Sequence, residues 1–195
     1  MPLDLAALVD PAHTAIVTSE VQNGVVGEPS ALPALAEAAA VEMLPNLARL
    51  LPAARAAGVQ VVHCTAYRRA DGKGANRNAR LFLGVQRSPV PLLPDTAAVE
   101  VVRELGPEVA DVVLTRTHGL SPMSGTDLDA VLRNLGVRTV VVTGVSVNVA
   151  SFIGAATIRS PLRMSPRPSG SGGITSRGPA THRATGAPPR SSCRR

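Results

Sequence analysis

Four short runs rich in Val, Ile and Thr, separated by helical stretches, constrain the fold more than any other feature of this chain. They are Ala15-Ile-Val-Thr-Ser-Glu20, Val59-Gln-Val-Val-His-Cys-Thr65, Asp111-Val-Val-Leu-Thr115 and Arg138-Thr-Val-Val-Val-Thr143. Their apolar residues run on rather than alternate, the pattern of strands buried on both faces of a parallel sheet. The segments between them supply the covering layers. Ala31 to Ala57 is rich in Ala and Leu and reads as two helices divided near Pro45, where a missing N–H in a first turn costs nothing. Leu47, Leu50, Leu51 and Ala54 then share one face. Asp95 to Leu105 predicts a helix capped by Asp95 or Thr96. Gly125 to Gly136 predicts a helix that ends in glycine, and Asn148 to Ile158 the start of another. The fold class that follows is α/β: a doubly wound, three-layer α/β/α domain with a mostly parallel sheet. Such sheets bind ligands beyond the carboxyl ends of their strands. That edge carries Glu20-Val-Gln22-Asn, His63-Cys64-Thr-Ala, Arg116-Thr117-His118 and Thr143-Gly-Val145-Ser146.

Charge divides the chain in two. Residues 1–150 hold 12 Lys/Arg against 14 acids, a net of −2, whereas residues 151–195 hold 8 Arg and no acid, a net of +8. The overall +6 therefore belongs to the tail. From Arg159 onward the chain is mostly Arg, Ser, Pro and Gly, with Leu162, Met164 and Ile174 the only sizeable aliphatics. Such a composition cannot bury enough apolar surface to offset the entropy of ordering it. The expected organisation is one domain over 1–158 and a disordered tail over 159–195. Three aromatic residues, Tyr67, Phe82 and Phe152, are too few for a base-stacking nucleic-acid module. Two cysteines, Cys64 and Cys193, make neither a disulfide framework nor a zinc site, and the histidines at 13, 63, 118 and 182 are scattered. No metal and no cofactor is expected. No run of about 18 apolar residues is present, and the early charges are Asp4 and Asp10 rather than Lys or Arg. The expectation is a cytoplasmic protein with no membrane partner.

Four pieces of sequence, in order and with βα spacing between them, carry a resemblance. They are Ile16-Val-Thr-Ser-Glu20-Val-Gln22-Asn23; Leu44-Pro-Asn-Leu-Ala-Arg-Leu, followed by the strand ending in His63; Ser121-Pro-Met-Ser-Gly125-Thr126-Asp-Leu; and Val140-Val-Val-Thr-Gly144-Val145-Ser-Val-Asn148-Val149-Ala150. Over residues 10–158 the chain resembles the isochorismatase-like cysteine hydrolases, the superfamily of nicotinamidases and N-carbamoylsarcosine amidohydrolases. The resemblance implies an Asp, a Lys and a Cys working together. The Cys attacks a carbonyl or imine carbon, the Asp takes its proton, and the Lys poises the pair. Such help is needed because a thiol of pKa about 8.5 is only slightly ionised at neutral pH. Backbone N–H groups before the Cys hold the oxyanion. Carried onto this chain, the Asp position is Glu20, the Lys position Thr117 with Arg116 beside it, and the Cys position Ala150. The oxyanion turn falls on Val145, Ser146 and Val149. A methyl group cannot be a nucleophile, so two of three roles are lost and the third is altered.

The residues themselves leave alternatives open. Ser151 lies about 100° around the helix from position 150, and Ser146 would need a stronger base than a carboxylate. Cys64 reads better as a small buried hydrophobe than as a nucleophile. His63 reads better as an imidazole packed on the sheet than as a base. His118 is balanced between lining a pocket and facing solvent. A carboxylate ending an apolar central strand is costly to bury unpaired, so Glu20 is expected to face a polar pocket with Arg116 as a partner, or to sit in a structural ion pair. Gln22, His63, Cys64, Arg116 and His118 form the candidate substrate-binding set. The loop Tyr67 to Arg80 carries five cations and two Asn side chains, which suit a carboxylate or phosphate; a solvated loop is the simpler explanation. Gly72-Lys-Gly lacks the spacing of a phosphate loop.

Three functions follow from different classes: a hydrolase with a changed site acting on a small amide, imide or enol ether; a silent relative that binds a small molecule or serves as a subunit; and a basic arm for nucleic acid, which comes last because the tail has no aromatic interleaving. The resemblance also implies a further strand and helix after position 158, where the chain instead runs Arg-Ser-Pro161. The fold is therefore expected to be incomplete at its C-terminus, and the uncovered sheet to leave the protein marginally stable, to drive aggregation, or to be closed by self-association into a homo-oligomer. Loss of acids, loss of aliphatics and Pro161 coincide, and GC-rich coding DNA read out of frame gives such a composition. A frameshift between Ser151 and Pro161 is the expectation that this raises.

Overall fold

The structure, a computed structural model, describes residues 4–145. The helix expected from Asn148, the tail, the incomplete C-terminal end, and positions 146, 149 and 150 lie outside those residues. Four strands form one parallel sheet: β1 (Thr14–Ser19), β2 (Gln60–Ala66), β3 (Val112–Arg116) and β4 (Thr139–Gly144), in the order β3-β2-β1-β4. Ala15 lies opposite Gln60 on one side of β1 and opposite Val140 on the other. The chain winds outward from β1 to β3 and then crosses back to lay β4 on the other side of β1, as a doubly wound sheet does.

Six helices lie among the described residues: α1 (Leu5–Leu8), α2 (Asn23–Val26), α3 (Pro33–Val41), α4 (Met43–Ala56), α5 (Arg80–Gln86) and α6 (Leu128–Asn134). Side chains alternate across the central strands, and each face has its own core. Ile16 and Val61 meet Leu44, Leu47, Leu51 and Ala54 of α4 on one face. Ala15, Val17, Val62 and Cys64 meet Met123, Leu128 and Leu132, around α6, on the other. Full burial of β1 explains its uninterrupted apolar run, while β3 and β4, the outer strands among the described residues, are only partly buried. The buried face of α4 repeats at 44, 47, 51 and 54; Leu50, expected there, is 42% exposed because it falls one position off that stripe.

One local expectation is overturned. Asp95 to Leu105 is not a helix but two 3-10 turns, Ala97–Val99 and Arg103–Leu105. Between them Val101 bridges to Gln22, and the Val102 N–H donates to the Val21 carbonyl. Pairing with β1's continuation outcompetes a segment whose Val99, Val101 and Val102 are poor helix formers. Conversely, the end of the long polar loop forms α5, none of whose residues is buried.

The end of β4 approaches β1 closely. Gly144 has φ +105°, and a Cβ there would stand 2.3 Å from the Ser19 carbonyl oxygen. Glycine is the residue that satisfies both constraints. The contact lets the Val145 N–H donate to Ser19 O at 3.0 Å, fixing the turn after β4 beside the end of β1.

Candidate functional site

The carboxyl ends of β1, β2 and β3 open into a cavity of about 120 Å³. Its polar wall comes from Glu20 after β1, Arg68 after β2, Arg116 at the end of β3, and Thr117 and His118 after it. Glu20 has φ +55°, a left-handed backbone that costs an L-residue about 1 kcal/mol. Two contacts hold it there. Its N–H donates to Cys64 O at 2.7 Å, and its carboxylate accepts from the Arg116 Nη2 in an ion pair. The Arg116 side chain is 3% exposed and that of Glu20 17%. Burial lowers the Arg116 guanidinium to about 10, so it still carries its charge at neutral pH. Arg116 Nε also points to Gly119 O at 3.4 Å, whereas its buried Nη1 has no partner among the described residues. A strand-end carboxylate thus meets the cation expected as its partner, with one donor left over beside the cavity.

His118 is exposed and lines the cavity. Its ring lies over Gly125, where a Cβ would come within 2.9 Å of it; the φ of +71° is what favours glycine in this turn before α6. Thr117 is exposed on the same wall. The Gly119 N–H donates to Asn76 Oδ1 at 2.8 Å, tying the β3 loop to the long polar loop across the cavity.

The other three candidate residues lie elsewhere. Gln22 is fully buried: its amide bonds Ala66 N at 2.7 Å, Ala66 O at 2.9 Å and Ala98 O at 3.1 Å. It fastens the end of β2 to the 97–99 turn, behind the cavity wall. His63 is also fully buried, with Nδ1 2.8 Å from Thr18 Oγ1 and Nε2 3.3 Å from Asp111 Oδ2. Burial pushes its pKa below 6.5, against the upward pull of Asp111. Asp111 is itself desolvated, but Arg55, which reaches it at 2.7 and 3.1 Å, and the Glu108 N–H hold its carboxyl below its usual value. Cys64 lies in the core against α6, and burial pushes its thiol up to about 12, so it carries no thiolate at neutral pH. The structure thus brings Glu20, Arg116, Thr117 and His118 to one cavity, and places Gln22, His63 and Cys64 in the scaffold beneath it.

The apolar side of the cavity was not legible from the sequence. Leu81, Phe82 and Val85 of α5 form it with Leu32 and Leu92. Their signal, apolar residues at positions 81, 82 and 85, is too short to set a helical period. Among the described residues no group of three His, Cys, Asp or Glu side chains could hold a metal ion, and no helix is long and apolar enough to cross a membrane.

The isochorismatase domain profile matches residues 14–159. The chain belongs to the isochorismatase family. Among curated members of this family it is 32% identical over 152 residues to the ureidoacrylate amidohydrolase RutB of Rhizobium rhizogenes, covering 71% of this chain and 61% of that protein. The RutB of Agrobacterium fabrum is 31% identical over 152 residues, with 71% and 66% covered. The chain thus spans less than two thirds of the length of these relatives. Among solved structures, a cysteine hydrolase from Pseudomonas syringae superposes with a TM-score of 0.65 at 31% identity, over 77% of this chain and 67% of that one. The N-carbamoylsarcosine amidase of Thermoplasma acidophilum shares the fold, with a TM-score of 0.57 at 23% identity over 74% of this chain and 75% of that one. This isochorismatase-family chain is therefore hydrolase-like in fold, with amidohydrolases among its relatives.

Proposed function

We propose that this chain binds a small ureido- or carboxamide-type metabolite at the cavity above β1, β2 and β3 and does not hydrolyse it through a thiol. The observation that carries the reading is the Glu20–Arg116 pair. The resemblance gives Glu20 the part of the proton-accepting carboxylate, and that carboxylate is held by a buried guanidinium at the cavity wall. An ion-paired carboxylate is a weaker base than a desolvated one. The thiol near the cavity does not replace the missing nucleophile: Cys64 is buried in the opposite core and protonated. The sequence itself puts a methyl side chain at Ala150, where the family's cysteine is expected. Relatives named for ureidoacrylate and N-carbamoylsarcosine supply the class of ligand.

The test pairs binding with turnover. The wild-type chain is expected to bind N-carbamoyl acids in calorimetric titration and to release no ammonia from them. Ala150→Cys with Thr117→Lys is expected to gain measurable amidase activity. Steady ammonia release by the wild type would overturn the silent-site reading in favour of a hydrolase of altered mechanism.

A further inference from the structure

We infer that the cavity selects a monoanion whose body is apolar and about the size of an isobutyl group or one ring. This rests on the binding reading above and names the ligand it admits. Two features of the walls carry it.

The first is charge. Glu20, Arg68 and Arg116 line the cavity, two cations against one anion. Glu20 is already engaged by Arg116 Nη2. What remains is cationic and unsatisfied: Arg116 Nη1 and Arg68 Nε are both buried nitrogen atoms without a hydrogen-bond partner among the described residues. Buried donors left unpaired are costly, more so when charged, and an anion at this wall offsets the surplus cationic charge. The Arg68 N–H is fixed to Leu92 O at 2.9 Å, so its guanidinium stem departs from the apolar wall itself.

The second is shape. Opposite the arginines stand Leu32, Leu81, Phe82, Val85 and Leu92. Three of these belong to α5, which buries no residue of its own yet is tethered by Gln86 Nε2 to Asn76 O at 2.8 Å. Leu81 is 42% exposed. Val85 packs against the core, but Leu81 and Phe82 beside it do not, and they gain burial from what fills the cavity. The 120 Å³ available approaches the roughly 150 Å³ of an apolar protein cavity that holds benzene. Phe82 and Leu81 are thus specificity residues, and Arg68 an anion-binding residue, for the same site.

Calorimetric titration of the full chain with three probes tests this. N-carbamoyl-leucine has the acid and the body, N-carbamoylglycine only the acid, and isopentylurea only the body. N-carbamoyl-leucine is expected to bind at least about tenfold more tightly than either of the others. Phe82→Ala should bring leucine and glycine derivatives within about threefold of each other, and Arg68→Gln should do the same for N-carbamoyl-leucine and isopentylurea. Neither side chain is in the core, and the wild-type preference decides the matter even if a variant misfolds. Equal binding of the two acids overturns the apolar body, and equal binding of N-carbamoyl-leucine and isopentylurea overturns the anion; both outcomes leave the binding function standing. Binding of none of the three overturns the proposed function and this inference with it.

Discussion

Gly144 is the residue on which the geometry around the site leans most heavily. Its φ of +105° and the 2.3 Å that a Cβ would leave to Ser19 O are separate obstacles to any side chain. Gly144→Ala is expected to cost at least about 2 kcal/mol, seen as a fall in Tm of roughly 5 °C or more. The Glu20–Arg116 pair makes a second prediction at this scale. Arg116→Met strips a partly buried carboxylate of its partner and should cost about 3 kcal/mol in urea denaturation. Glu20→Gln combined with Arg116→Met should cost less than the two single changes added together, by about 1 kcal/mol or more. Additive losses would show that the two side chains do not act as a pair. The pairing itself was foreseeable, since a carboxylate that ends an apolar strand needs a cation and Arg116 ends another strand of the same sheet. The left-handed backbone of Glu20 was not, because nothing in Ser19-Glu20-Val21 signals a positive φ.

At the scale of elements, the His63 network links β1, β2, α4 and the turn before β3. His63 is held neutral by burial, with its pKa below 6.5. The unfolded chain takes up a proton near pH 6.5 while the folded chain does not, so this contribution is full above about pH 6.5 and is lost as pH falls towards the folded pKa. Stability by urea denaturation should therefore decline between pH 7 and pH 5.5. His63→Gln should flatten that slope; an unchanged slope would place its origin elsewhere. On the cavity rim, a Cβ at Gly84 of α5 would meet nothing within 4 Å. Gly84→Ala is expected to stabilise the protein by about 0.5–1 kcal/mol through helix propensity, read as a rise in Tm. These two elements mark the limits of reading from sequence. The four strands were legible because β1 and β2 are buried on both faces and carry unbroken Val and Ile. Asp111 as the partner of His63 was not, since the two are brought together only by the β2–β3 pairing. The helix expected over 95–105 failed because Val101 and Val102 find better partners in Gln22 and Val21 than a helix offers. α5 was not legible because its seven residues, Gly84 among them, are too few to set a clear helical period.

At the scale of the whole molecule, the sheet among the described residues ends in β3 and β4, with Val113 52% and Val141 36% exposed. Partly exposed outer strands favour pairing with another chain. We expect self-association, seen as a light-scattering mass of two or more chains; a monomer at all accessible concentrations would contradict it. Most of the surplus charge lies beyond the family match: residues 1–150 are nearly balanced, and of the 8 Arg in residues 151–195 only Arg159 falls within residues 14–159. The central claim concerns the cavity, where a paired carboxylate, two arginines and an apolar wall converge with no thiol among the described residues that line it. It is tested most directly by carbon NMR of N-carbamoyl-leucine, labelled at the ureido carbon, mixed with an equal amount of the wild-type chain. We expect the ureido resonance to shift or broaden as the compound binds and its intensity to persist, with no labelled bicarbonate formed. Growth of the bicarbonate signal above the protein-free control, or a ureido resonance untouched by the protein, would contradict it.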